Sequence, residues 1–241
     1  MKAAFFDIDG TIYREGLITE MFKKMVNYEL IDSTKWYSDV RPAFLNWDKR
    51  VGDYDVYLLK MVEVYVEAVK GLTREQLKYV AKRVIEQKGE RVYTFSRNQI
   101  KLHQSNGNKV IAISGSPLEL VSEMSRKYQM DDYKGTVYKI DEKGYYNGEI
   151  IPMWDAVSKE QAILEMTKKY NIDLNESYAY GDTAGDLTML SMVGHPYAIN
   201  PTRELIQKIS EDKKLKEKIT IIVERKDVIY KMDINKLILM E

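Results

Sequence analysis

Ala3-Ala4-Phe5-Phe6-Asp7-Ile8-Asp9-Gly10-Thr11-Ile12 opens the chain and decides how the rest is read. Its first half is apolar on both alternating faces, the pattern of a strand buried on both sides. It ends in two carboxylates two residues apart, a glycine that lets the chain turn, and a hydroxyl. Residues i and i+2 of an extended chain share a side, so Asp7 and Asp9 are expected together at the end of a core strand. Like charges so placed repel unless a cation or a shared proton intervenes. Burying even one is costly unless it is paired or ligates a metal. A turn that merely uses aspartate is the plainer alternative, and the remainder of the chain has to decide between them.

The totals narrow the classes. The 241 residues suffice for one large domain or a domain with an insert. Hydrophobic residues make up 44% and charged ones 31%, the balance of a water-soluble globular chain. Lys+Arg and Asp+Glu both number 37, so there is no basic surplus for a nucleic-acid backbone and no nucleic-acid partner is expected. With no cysteine, there is no thiolate metal site or cysteine nucleophile. Two histidines, His103 and His195, make a histidine-based metal site an unpromising reading. Any metal should then be a hard cation held by oxygen, such as magnesium. No signal-peptide pattern precedes the first strand, and no uncharged apolar stretch is long enough to span a bilayer. A cytoplasmic protein with no membrane partner is the expectation.

Residues 15–90 read as all-helical. Met21, Phe22, Met25, Val26 and Leu30 recur at helical spacing within an expected helix from Thr19 to Ile31. A second helical piece is expected from Arg41 towards Arg50, and a third from Asp53 to Lys70. In the third, apolar residues leave only a narrow polar stripe, which predicts burial on most of its surface. Thr73-Arg74-Glu75-Gln76 has the form of a capping box, and Gly89 closes the helix it starts. From Val92 onward helices and strands alternate. Lys109–Ser114 and Tyr178–Tyr180 read as strands, Thr136–Ile151 as a hairpin, Pro196–Ile199 as a strand and Ile219–Val223 as the last one. Ser116-Pro117-Leu118-Glu119 and Ser158-Lys159-Glu160-Gln161 read as further capping boxes, the second placing Lys159 at a helix start. Alternation predicts an α/β fold: a Rossmann-like parallel sheet core with an inserted all-helical cap domain. The expected division is residues 1–14 and 91–241 for the core and 15–90 for the cap.

In such a sheet ligands bind beyond the carboxyl ends of the strands. Four strand or helix ends carry suitable groups: Asp7 and Asp9, Ser114 and Gly115, Lys159, and Asp182 with Asp186. A hydroxyl, glycine amides and a lysine near helix N-termini make a phosphate cradle. Aspartates beside it make a magnesium site, and together they describe phosphoryl transfer. Taken singly these residues are plainer. Lys159 reads as an exposed helix-start lysine, Ser114 as a turn residue, and Asp186 as an acid balancing a helix dipole. His103 reads as a helix-surface residue and His195 as a loop residue. Trp36, Tyr37, Arg41, Trp47 and Arg50 are candidates to face a substrate, though such residues are more often ordinary core or surface of a helical unit.

Asp7-Ile8-Asp9-Gly10-Thr11, Ser114, Lys159 and Gly181-Asp182-Thr183-Ala184-Gly185-Asp186 resemble, in order, the four motifs of the haloacid-dehalogenase superfamily. The helical insert after the first motif resembles the cap of its phosphoserine-phosphatase-like branch, subfamily IB. The resemblance implies a magnesium-dependent phosphomonoester hydrolase acting on a small phosphorylated metabolite. It implies Asp7 as nucleophile forming an aspartyl-phosphate, and Asp9 as general acid and base. It also implies Lys159 as charge neutraliser, and Thr11, Ser114 and Gly115 around the loop and phosphate. For the metal it implies Asp7, the Asp9 carbonyl, Asp182 and, through water, Asp186. Phosphoserine phosphatases bind the substrate amine with a glutamate near Arg14-Glu15-Gly16, where Glu15 stands one place out of register. They usually carry asparagine where this chain has Gly185.

Other readings fit less of the chain. A signalling receiver does not explain Asp9, the Asp182/Asp186 pair or the insert. A silent binding scaffold would be expected to lack an essential position, and none is missing. Dehalogenating relatives lack the second aspartate. Phosphotransfer to an acceptor other than water uses the same residues and remains the alternative.

Overall fold

The computed structural model describes residues 1–52 and 54–239. Eight strands form one sheet in the order β4-β3-β2-β1-β5-β6-β7-β8. They are β1 (Ala3–Phe6), β2 (Lys109–Pro117), β3 (Asp132–Ile140), β4 (Tyr146–Ile151), β5 (Tyr178–Gly181), β6 (His195–Ile199), β7 (Thr220–Arg225) and β8 (Val228–Met232). The opening strand lies at the centre, paired in parallel with β2 on one side and β5 on the other. Pairing is parallel from β3 through β7, while the outer hairpin partners β4 and β8 run antiparallel. The chain builds outward from β1 through β2 and β3, then returns to the other side of β1 with β5. That reversal puts the topological switch point beside β1, where a crevice opens in folds of this kind.

The period of two along β1 is visible in what each residue touches. Ala4 and Phe6 belong to an apolar cluster on one face, and Ala3 and Phe5 to a second cluster on the other. The second cluster is closed by α7 (Ala156–Tyr170), α8 (Leu187–Met192) and α9 (Arg203–Glu211). The first is closed by α5 (Thr94–Ser105) and α6 (Leu118–Lys127) and continues into the helices before them. Those are α1 (Leu17–Asn27), α2 (Arg41–Asp48), α3 (Tyr54–Val69) and α4 (Arg74–Lys88). A short helix, α10 (Lys213–Lys218), precedes β7. This is the α/β sheet with an inserted helical cap. The two chain segments joining cap to core run side by side, with Arg14 N–H donating to the Arg91 carbonyl at 3.1 Å and Tyr93 N–H to the Ile12 carbonyl at 2.9 Å. No helix among the described residues is long and apolar enough to cross a membrane.

Several local expectations are corrected. The first cap helix begins at Leu17 and ends at Asn27, two residues earlier and four shorter at its far end than the apolar spacing implied. The expected start of the third helix at Asp53 lies outside the described residues. The buried surface of that helix is narrower than the apolar count implied: Tyr57, Met61, Val64, Tyr65 and Val69 are buried, but Val56 and Leu59 are 60% and 62% exposed. The Thr73 box forms as expected, with Gln76 N–H on the Thr73 hydroxyl and the Gln76 side chain on the Thr73 N–H. The Ser116 box does not, because that hydroxyl is used elsewhere, and α6 starts after Pro117 without a side-chain cap. Asp155, not Ser158, caps α7 by accepting from the Ser158 N–H, which moves Lys159 from the helix start to the end of its first turn. Strand β8 was not expected at all. All five of its residues are exposed, so it carries no burial pattern to read.

His103 is also corrected. It is buried, with Nε2 2.8 Å from the Tyr180 hydroxyl and Nδ1 3.0 Å from Asn108 Nδ2. Burial lowers its imidazole from 6.5 to about 4. Above pH 6.5 the ring is neutral in folded and unfolded chain alike. Below it, the unfolded chain takes a proton that the folded one refuses, so folding weakens as pH falls towards 4. The difference amounts to about 3 kcal/mol at most. Urea unfolding at pH 7 and pH 4 should therefore show His103→Asn losing less stability than the parent chain over that interval. Equal losses would contradict the assignment.

Candidate active site

Because β1, β2 and β5 are parallel and in register at Phe6, Ala112 and Tyr180, the residues following them emerge at one edge of the sheet. Asp7 follows β1 and Asp182 follows β5, with the Asp7 N–H still bonded to the Tyr180 carbonyl at 3.0 Å. Lys159 rises from α7 beneath them. Its ammonium donates to Asp7 Oδ1 at 2.9 Å and to Asp186 Oδ1 at 2.5 Å. All four side chains are buried. One carboxylate oxygen from each of Asp7, Asp182 and Asp186 lies within 4.8 Å of the others.

The charges around this point do not balance. One ammonium meets three carboxylates, with Asp9 as a fourth close by. Burial, and then the charges of neighbouring aspartates, hold the Asp7 and Asp182 carboxyls well above the ordinary carboxylate range, although Lys159 pulls both down. Burial alone would lower the Lys159 ammonium, but Asp186 and Asp7 outweigh it and keep it above its usual value. Three oxygen donors with surplus negative charge in a dry setting fit a hard divalent cation. Asp186 is the least free of the three. Its Oδ2 accepts from the N–H groups of Asp182 and Thr183 and from the Thr183 hydroxyl, while Oδ1 holds Lys159. Thr11 donates its hydroxyl to Asp182 Oδ1 at 3.0 Å, so it orients an acid of the cluster.

Asp9 is turned away from that cluster. Its Oδ1 accepts the N–H of Leu17, the first residue of α1, at 2.8 Å, and its Oδ2 accepts the Ser116 hydroxyl at 2.5 Å. Burial raises its carboxyl above the ordinary range, against the pull of those two donors. One carboxylate is thus held jointly by the cap's first helix and the C-terminal end of β2. Ser114 is fully buried, its Oγ accepting the Ser116 N–H at 3.2 Å.

A cavity of about 270 Å³ opens over these groups. Asp7, Asp9, Lys159, Gly115 and Ser116 form one end, and Ile18, Leu58, Leu59, Val62 and Trp154 the walls. Trp154 sits against two glycines. A Cβ on Gly115 would lie 2.8 Å from the Trp154 Cβ, and one on Gly185 would lie 2.7 Å from its carbonyl oxygen.

Asp7, Asp9, Gly115 and Lys159 therefore meet at the cavity, with Asp182 and Asp186 behind them; Thr11 orients Asp182, and Ser114 is buried within the end of β2. Glu15 is not brought in. Arg91 holds its carboxylate by two hydrogen bonds of 2.6 and 3.1 Å beside the cap–core linkers. The cap candidates do not line the cavity either. Trp36 and Trp47 pack with Phe44 and Tyr57, and Arg50 lies over the Trp47 ring. Tyr37 is 60% exposed, with the Arg41 guanidinium over its ring. The sequence reading missed Ser116, Trp154 and the apolar wall of α3. The excess of apolar residues in that helix was the available signal.

The sequence model for haloacid dehalogenase-like hydrolases matches residues 4–191. The chain belongs to that family. Among curated relatives, a Streptomyces azureus protein named for inhibition of morphological differentiation is 28% identical over 205 residues, covering 84% of this chain and 73% of its own. A Mycobacterium tuberculosis protein named a probable phosphatase is 27% identical over 215 residues, covering 86% and 72%. A solved structure described as a phospho-aspartyl intermediate analogue of phosphoserine phosphatase superposes with a TM-score of 0.59 at 20% identity, over 94% of each chain. At that identity the likeness to this hydrolase is one of fold.

Gly10 ties the first motif to the acid cluster. It has φ +79°, and a Cβ there would fall 2.0 Å from Asp182 Oδ2. Gly10→Ala combines backbone strain with that collision, and the expected cost is at least about 1–2 kcal/mol. Chemical denaturation measures it, and unchanged stability would contradict the geometry.

Proposed function

We propose that the chain is a magnesium-dependent phosphomonoesterase that acts on a small substrate through an aspartyl-phosphate on Asp7. The observation that carries this reading is the Asp7–Lys159–Asp186 contact with Asp182 alongside, at the end of a cavity floored by Gly115 and Ser116. The mycobacterial relative named a probable phosphatase supports it. In this reading residues 1–14 and 91–241 are the catalytic core and 15–90 the cap that closes over substrate and excludes bulk water.

The Gly115 amide binds a phosphoryl oxygen, Ser114 holds that segment from behind through the Ser116 N–H, and Lys159 offsets the charge shared by phosphate and Asp7. A carboxylate oxygen of Asp7 attacks phosphorus, the phosphorus–oxygen bond to the alcohol breaks, and Asp9 gives its proton to the leaving oxygen. Asp9 then takes a proton from water, which attacks phosphorus and breaks the bond to Asp7, releasing inorganic phosphate. The Leu17 amide and the Ser116 hydroxyl fix the Asp9 carboxyl for both transfers, so the acid is aligned when α1 is in place. Asp7, Asp182 and the Asp9 carbonyl would hold the magnesium, and Asp186 would act through water. Bound there, the ion supplies charge neutralisation and polarises the phosphoryl group.

Asp7→Asn tests the reading. Phosphate release from a panel of phosphomonoesters with magnesium should fall by at least about a thousandfold. The melting temperature should stay equal or rise, because the crowded cluster disfavours the Asp7 charge. Retained turnover would rule out Asp7 as nucleophile.

A further inference from the structure

We infer that the substrate's alcohol portion is uncharged and apolar, a short alkyl or aryl group rather than an amino acid or amino alcohol; this rests on the phosphomonoesterase reading above. Among the described residues that line the cavity, the charged side chains are Asp7, Asp9 and Lys159, all at the end assigned to phosphate. Beyond them the side chains are Ile18 from α1, Leu58, Leu59 and Val62 from α3, Trp154, and Ala184 beside Thr183, whose hydroxyl is turned to Asp186 Oδ2.

An ammonium or carboxylate on the leaving group would enter that region without a partner and give up part of its hydration, which is unfavourable. Glu15 stands nearest in sequence to a receptor for an amine, but Arg91 occupies both of its oxygens. The walls also explain an otherwise unfavourable feature of the cap. Leu59 is 62% exposed, and Leu58 and Val62 are only half-buried, although core packing would bury such a row. An apolar ligand between α3 and Trp154 removes that surface from water. At about 270 Å³ the cavity lies near the lower end for small-molecule sites, which suits phosphate plus a few carbons.

Gly185 and Gly115 take part in this selection. Their missing side chains let the Trp154 backbone and Cβ sit close above the strand ends, where a larger residue would push the indole-bearing loop outward. Trp154 thus stands as a specificity-determining wall on the core side, opposite the aliphatic wall of the cap.

A matched series separates charge from reactivity: n-pentyl phosphate, 5-aminopentyl phosphate and 5-phosphooxypentanoate share a primary alkyl leaving group and differ only at the far end. With magnesium, kcat/KM for the pentyl ester should exceed both charged esters, and O-phosphoserine, by at least about tenfold. Leu59→Arg should lower the pentyl ester and raise 5-phosphooxypentanoate, narrowing their ratio. A charged ester or phosphoserine cleaved as well as the pentyl ester, with phosphate released, would overturn the inference and leave the phosphatase reading standing. If no ester in a broad panel releases phosphate, the phosphatase reading fails. Calorimetric binding of n-pentylphosphonate against 5-aminopentylphosphonate then still tests the apolar wall. Tighter binding of the pentyl compound supports it, and equal or weaker binding overturns it.

Discussion

One excess of buried charge organises the molecule. Asp7 and Asp182 end adjacent parallel strands, Asp186 is held behind them, and Lys159 is the cation that meets two of the three. Nothing in a buried cluster of that sign is stable by itself, since each added carboxylate raises the cost of the others. The surrounding bonds reduce that cost without removing it. Asp186 Oδ2 draws on two backbone amides and a hydroxyl, and Thr11 serves Asp182. What remains uncompensated is negative and oxygen-lined, so it fits a hard cation.

The sheet topology makes that cluster possible, and the cap helices wall the space above it. Neighbouring parallel strands deliver their loop residues to one edge, and the reversal of strand order at β1 leaves room above them. The cap reaches into the same space through α1 and α3. Asp9 is the joint between the two parts, with the Leu17 amide on one oxygen and the Ser116 hydroxyl on the other. A displacement of α1 would therefore be felt at a carboxyl group and not only at the cavity mouth.

Legibility in the sequence followed the range of the interactions. The first strand could be read because both of its faces are apolar, and the acidic loops because their residue types repeat at strand ends. Ser116 could not. Locally it fits an N-cap, and only the fold brings it to Asp9, 107 positions away. Asp155 displaced Ser158 as the cap of α7 for a similar reason, two good capping residues standing three apart. Leu58, Leu59 and Val62 of α3 read as core, like Met61 and Tyr65 beside them, because periodicity records hydrophobicity and not what lies opposite, here a cavity. Glu15 looked free for a substrate because its partner Arg91 lies 76 positions away, on the other linker. Strand β8, exposed throughout, is held by its pairing with β7 and leaves no apolar alternation to find.

The central claim, that Asp7 is the group carrying the phosphoryl intermediate, is open to direct measurement. Protein mixed with magnesium and a phosphomonoester under conditions of turnover can be acid-quenched within milliseconds and its peptides mapped by mass spectrometry. The account predicts a phosphoryl group on the peptide that contains Asp7, sensitive to hydroxylamine as an acyl phosphate is, and decaying when substrate is exhausted. Turnover with that peptide unmodified and the phosphoryl group on another residue would contradict it.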